Sequence, residues 1–200
     1  MIKKICVYCG SSDKVSQRYL DEAYRLGKTL AEKRITLVYG GGKTGLMGSV
    51  ANGALEHGGK VIGVTPTFFN TKVLVHPQLT RLEVVENMHQ RKALMISLAD
   101  GFIALPGGYG TFDELFEAIT WAQIGLHAKP IGLLSVENYF DPLVHLVQHA
   151  IQQGFIYDTH RELFIDDADI NSLLEKMENY KPPKDLARWV QRNEYCILED

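Results

Sequence analysis

Short apolar runs alternate with amphipathic stretches along nearly the whole chain. Ile2–Cys9, Ile35–Tyr39, Val61–Thr65, Leu82–Val85, Gly101–Leu105 and Pro130–Leu134 each have the length and composition of a strand, bounded by turn residues. Between them lie segments with helical spacing. Ser16–Lys33 carries Tyr19, Ala23, Leu26 and Leu30 along one side, and Leu46–His57, Met88–Ala99, Thr111–Ile124 and Asp141–Gln153 follow the same rule. A short strand at Leu163–Ile165 and a helix at Asp169–Met177 close the pattern, while Pro66–Gln78 fits neither period. Strands that alternate with helices predict an α/β fold: a doubly wound, mainly parallel sheet with helices on both faces. Lys181-Pro182-Pro183-Lys184 reads as a hinge, so residues 1–180 are expected to form one domain and residues 181–200 a C-terminal tail packed on its surface.

Such a sheet binds ligands at the carboxyl ends of its strands. Four strand-to-helix turns must share that edge: Gly10-Ser11-Ser12, Gly40–Gly45, Asn87–Lys92 and Pro106–Thr111. Three are built of glycine or small hydroxyl residues, and the fourth carries Arg91 and Lys92. The central unit is Ile103-Ala104-Leu105-Pro106-Gly107-Gly108-Tyr109-Gly110-Thr111-Phe112-Asp113-Glu114. It joins a buried strand, a glycine turn and a helix N-terminus, which suits an anion such as phosphate.

Glu114 has two readings. Thr111-x-x-Glu114 fits a capping box, in which the glutamate reaches back to the helix start. Alternatively, Glu114 is a chemical group at the crevice. On a helical wheel Phe112, Leu115, Phe116 and Ile119 share one face, and Glu114, Ala118 and Trp121 lie on the other. A tryptophan on the supposedly wet side predicts that something covers it, most economically a second subunit. Arg91 falls within the apolar stripe Met88, Leu94, Met95, Leu98. It either snorkels out of that stripe or points into the crevice toward phosphate, ribose or a carboxylate; the position in the first turn favours the crevice.

Other motifs carry less. Gly40–Gly45 matches G-x-G-x-x-G, but no acid stands where an NAD ribose would need one, in Lys60–Thr65. Gly42-Lys43-Thr44 lacks the P-loop glycine, since Leu37 holds that position. Cys6 and Cys9 lie three apart on a strand and therefore face opposite ways, as small buried hydrophobes. His145 and His149 have no evident third metal ligand, and His89 reads as a surface residue.

With 46% hydrophobic residues, 200 positions suffice for one substantial core. The net charge of −3 offers no basic field for nucleic acid. No apolar run approaches the ~20 residues of a membrane span, and the N-terminus has no secretory h-region. Three cysteines (Cys6, Cys9, Cys196) do not make a disulfide framework. Cytoplasmic residence is the expectation.

Met88-His89-Gln90-Arg91-Lys92 and Pro106–Glu114 together resemble the LONELY GUY family, cytokinin riboside 5'-monophosphate phosphoribohydrolases formerly labelled lysine decarboxylase-like. The likeness runs from about Ile5 to Ile156 and includes Tyr39–Gly42, Gly45–Gly48, Trp121-Ala122-Gln123 and Lys129-Pro130. The region Thr71–Thr80, shorter than in plant members, departs from it, as does the C-terminal tail. The resemblance implies a Rossmann-like fold and a homodimer with active sites near the interface. It implies that Arg91 and Glu114 are catalytic and that Lys92, Gly107, Gly108, Tyr109, Gly110, Thr111, Phe112, Asp113 and Thr120 contact the nucleotide. Ser11 and Gly42, on the neighbouring edge turns, complete the expected substrate set. The implied reaction cleaves the N-glycosidic bond of an N6-substituted adenosine 5'-monophosphate, or of AMP, with neither metal nor redox cofactor. Two rivals are a non-catalytic nucleotide-binding or carrier protein on the same fold, and an NAD-dependent oxidoreductase.

Overall fold

The computed structural model describes residues 1–184 and Leu186. The strands are β1 (Lys4–Tyr8), β2 (Thr36–Tyr39), β3 (Val61–Pro66), β4 (Arg81–Val85), β5 (Gly101–Ala104), β6 (Ile131–Leu134) and β7 (Ile165–Asp167). They form one sheet in the order β4-β3-β2-β1-β5-β6-β7, with every neighbouring pair parallel. The helices are α1 (Gln17–Glu32), α2 (Gly45–Glu56), α3 (Met88–Leu98), α4 (Tyr109–Gln123), α5 (Asp141–Gln152) and α6 (Ile170–Glu178).

Side-chain alternation along β1 divides the core in two. Ile5, Val7 and Cys9 pack with residues of α1, α2 and α6 on one face of the sheet. Cys6 and Tyr8 pack with residues of α3, α4 and α5 on the other. The fold is therefore doubly wound, and the two cysteines are free and buried on opposite sides. From β1 the chain builds outward to β4, then returns to β1's other side with β5. The crevice between the carboxyl ends of β1 and β5 is the topological switch point, where such folds bind ligands.

Several expected elements shift. α4 begins at Tyr109, two residues before Thr111. A 3-10 turn occupies Asp158–Leu163, which displaces the last strand to Ile165–Asp167. Pro66–Gln78 holds a 3-10 turn at Thr67–Phe69 and an isolated bridge from Gly42 to Val75. Beyond residues 181–184 and Leu186, the expected tail lies outside the described residues, as does Cys196.

The orientation of α4 also differs from the helical-wheel reading. Its buried line is Thr111, Glu114, Leu115, Ala118 and Ala122, while Phe116 is exposed and Phe112, Ile119 and Trp121 are only partly buried. Ala118 and Ala122 let the helix lie close on the sheet, and larger side chains on that line would hold it off. Glu114 thus faces the protein. Its charge is tolerable there because a cation meets it.

Candidate active site

A cavity of about 610 Å³ opens at the switch point. The turns after β1, β2 and β5 line it, together with Arg91 from α3. At its floor Arg91 and Glu114, each only 8% exposed, form an ion pair with Nη1 donating to Glu114 Oε1 at 2.6 Å. Arg91 Nε donates to the Val64 carbonyl at 3.0 Å, which ties the guanidinium to the end of β3. Gly40 makes this possible. A Cβ at that position would sit 1.9 Å from Arg91 Nη2, and the guanidinium is held at both ends. Burial pushes the Glu114 carboxyl above its usual value, and Arg91 opposes that rise without cancelling it.

The helix starts around the cavity differ in one respect. Asp13 Oδ1 accepts the Gly45 N–H at 2.8 Å, so the start of α2 is occupied. Asn87 Oδ1 accepts the Gln90 N–H and caps α3. At α4 the capping position is Gly108, which has no side chain to offer. Thr111 is inside the first turn, so no capping box forms, and Glu114 goes to Arg91 instead. The three carbonyls of the turn are all engaged. Pro106 O accepts from Gly10 N at 3.0 Å, Gly107 O from the Tyr139 hydroxyl at 2.5 Å, and Gly108 O from Phe112 N at 3.0 Å. Among the described residues, the N–H groups of Gly107, Gly108, Tyr109, Gly110 and Thr111 donate to no protein acceptor. A Cβ at Gly108 or Gly110 would meet nothing within 4 Å. Neighbouring side chains therefore do not demand these glycines; they leave room in front of free amides. Gly107 is different, because a Cβ there would lie 2.0 Å from Thr111 Oγ1.

Of the residues singled out from sequence, Ser11, Gly42, Arg91, Gly107, Gly108, Tyr109, Gly110, Thr111, Asp113 and Glu114 line the cavity. Lys92, Phe112 and Thr120 do not. Lys92 Nζ meets Asp113 at 3.0 Å and Glu117 at 2.9 Å, bracing α3 against α4. Partial burial works against its charge, but the bonds to Glu117 and Asp113 outweigh this and raise its pKa. Both cations of the Arg91-Lys92 pair are thus engaged by carboxylates, and the backbone amides of the Gly107–Thr111 turn add donors that meet no protein acceptor among the described residues. His89, His145 and His149 are exposed, and the described residues hold no cluster of three or more His, Cys, Asp or Glu able to bind a metal.

Sequence reasoning missed the apolar half of the lining: Tyr19, Met47, Phe69, Leu74, Val75 and Tyr139. Tyr139 follows β6 on the same sheet edge as the four turns, so the edge rule extended by one strand reaches it. Val73-Leu74-Val75, an apolar run inside an aperiodic segment, was a second signal.

Residues 47–177 match the family described as possible lysine decarboxylase. A rice protein (Oryza sativa subsp. japonica) described as a probable cytokinin riboside 5'-monophosphate phosphoribohydrolase is 47% identical over 180 residues, covering 90% of this chain and 79% of that protein. An Arabidopsis thaliana cytokinin riboside 5'-monophosphate phosphoribohydrolase is 45% identical over 184 residues, covering 92% and 84%. This chain belongs to the LONELY GUY family. The LONELY GUY fold is shared more widely. The molybdenum cofactor carrier protein of Chlamydomonas reinhardtii superposes with a TM-score of 0.69 at 21% identity, covering 90% of this chain and 100% of that one. A molybdenum cofactor binding protein from Rippkaea orientalis gives 0.66 at 20% identity, covering 90% and 97%. These two likenesses concern the fold alone.

Proposed function

We propose that this protein hydrolyses the N-glycosidic bond of N6-substituted adenosine 5'-monophosphates, and of AMP, releasing the free cytokinin or adenine base and ribose 5-phosphate. The observation that carries this reading is the run of free amides from Gly107 to Thr111 beside a buried carboxylate. The amides and the N-terminal end of α4 hold the 5'-phosphate. Glu114, one turn along the same helix, then lies on the sugar side of that phosphate. The base departs with the electron pair of the C1'–N bond and leaves an oxocarbenium-like ribose that a carboxylate stabilises; water captures C1', and the proton it gives up neutralises the departed base. A carboxylate acts here as nucleophile toward C1' or as base toward water. Both roles start from the ionised form, which burial disfavours and the Arg91 guanidinium favours. Tyr19, Met47, Phe69, Leu74 and Val75 offer apolar surface to the base and its N6 substituent. The 45–47% identical relatives described as phosphoribohydrolases support the reaction. The carrier alternative has only fold-level support.

The reading extends to a homodimer. Tyr109 is 94% exposed on α4 and Phe116 40%, with Leu126 just beyond the helix at 64%. A second copy covering this face accounts for them, on the side of α4 opposite to that expected from sequence. A monomeric mass in sedimentation equilibrium at micromolar concentration would remove this part. Residence in the cytoplasm fits the buried free thiols of Cys6 and Cys9; among the described residues no helix is long and apolar enough to cross a membrane.

The test is base release from isopentenyladenosine 5'-monophosphate, AMP and the unphosphorylated riboside, for wild type and Glu114→Gln. Release from the monophosphates only, lowered in the variant by at least about 100-fold, is the expected result. Nucleotide binding without base release in the wild type refutes the hydrolase.

A further inference from the structure

Tyr139 stands apart from the residues that the family motifs single out, yet it makes one of the three bonds that fix the glycine turn. Its hydroxyl donates to Gly107 O at 2.5 Å, across 32 positions of sequence. The other two bonds of the turn, from Gly10 N to Pro106 O and from Phe112 N to Gly108 O, belong to the backbone itself. Side-chain chemistry controls only the Gly107 carbonyl. That carbonyl belongs to the Gly107–Gly108 peptide, which has a glycine on either side and so little internal resistance to rotation. In a trans peptide the carbonyl and the next amide point in opposite directions, and no cis bond occurs here. Holding the carbonyl therefore fixes the direction of the Gly108 N–H. It also keeps the Gly107 carbonyl dipole turned away from the side on which the Gly108 N–H meets an anion.

A second observation is independent of that bond. Glu137 and Asn138, immediately before Tyr139, both adopt left-handed backbone, with φ of 52° and 59°. Asparagine tolerates this region but glutamate rarely enters it, and such backbone persists where the surrounding structure over-determines it, commonly at ligand sites. The ring is then locked by edge-on contacts with Tyr19, at 6.2 Å, and Phe140, at 5.2 Å. Phe140 is fully buried.

We infer that Tyr139 is a positioning residue for phosphate recognition: its hydroxyl sets the Gly107–Gly108 peptide in the orientation that presents the amides of the turn to the 5'-phosphate. This rests on the phosphate site proposed above. Tyr139 touches the turn rather than the reacting atoms, so its effect falls on selectivity for the phosphorylated substrate.

Tyr139→Phe keeps the ring and its contacts and removes only the hydroxyl. The experiment measures affinity for AMP and for adenosine by calorimetry, with base release from the monophosphate in parallel. The variant is expected to bind AMP about 10-fold more weakly, the equivalent of one lost hydrogen bond. Its affinity for adenosine stays within about twofold, and in turnover KM rises with kcat nearly unchanged. A merely structural role would weaken both ligands together. An unchanged ratio of AMP to adenosine affinity overturns the inference and leaves the hydrolase standing. A wild type that prefers AMP but releases no base overturns the hydrolase, and the binding ratio still decides the role of Tyr139. A wild type with no preference for AMP overturns both.

Discussion

Arg91→Met isolates the buried ion pair, because methionine keeps much of the aliphatic volume and removes the charge. The variant leaves two groups without partners: the Val64 carbonyl and the Glu114 carboxylate, which is 8% exposed. An unpartnered buried carbonyl costs about 1–3 kcal/mol at any pH. The carboxylate behaves differently, since it can take up a proton instead of staying charged. For a group with an ordinary glutamate pKa near 4.3, protonation at pH 7 costs about 4 kcal/mol, at about 1.4 kcal/mol per pH unit. That figure is the ceiling on the electrostatic part, and it falls to about 1 kcal/mol at pH 5. The sign follows from proton linkage. Burial already raises Glu114 in the wild type, and loss of Arg91, its main opposing influence, raises it further. The folded variant then holds a proton that the unfolded chain has released, so its stability is fully present below the unfolded pKa and is lost as pH rises toward the folded one. Urea unfolding at pH 5, 6, 7 and 8 reads this directly. Destabilisation relative to wild type is expected to grow from pH 5 toward pH 7 by up to about 3 kcal/mol, the limit for one proton over two pH units, and base release disappears with the ionised carboxylate. A pH-independent loss, or a loss below about 1 kcal/mol at pH 7, would refute the claim that Arg91 sustains the charge on Glu114.

Two further substitutions separate binding from stability. Gly110→Ala places a methyl where nothing lies within 4 Å, inside the first turn of α4; thermal unfolding should show a gain of up to about 1 kcal/mol, while KM for the monophosphate rises at least about 10-fold as the methyl enters the phosphate space. Arg34, with φ of 59°, ends α1 in a Schellman arrangement, its N–H on Ala31 O and that of Ile35 on Leu30 O; Arg34→Gly is expected to stabilise by about 1 kcal/mol with turnover unchanged, and a lower unfolding midpoint in urea would contradict that reading.

The sequence by itself determined the layered α/β plan and the edge that carries the site. Runs such as Ile103–Leu105 cannot be solvated, and glycine turns follow them at fixed places, so a parallel sheet with its ligand edge is the arrangement they permit. Arg91 and Glu114 were legible as a pair only through residue types that resembled a known pattern. What brings them together is packing: 23 positions apart in sequence, they meet because α3 and α4 share one face of the sheet. The same packing reversed the helical-wheel view of α4. Periodicity weighs side chains by polarity, and so it placed Glu114 outward and Phe116 inward. The folded chain weighs local fit, with Ala118 and Ala122 allowing close approach and Arg91 neutralising the one charge on that face. Lys92 read as a free cation beside Arg91, but Asp113 and Glu117 claim it once α4 lies alongside. Tyr139 lay beyond any local pattern, since its partner is a carbonyl 32 residues away. Local spacing specifies which groups exist and which elements carry them; only the tertiary fold decides which donors find acceptors, and the five amides left over from Gly107 to Thr111 follow from that pairing.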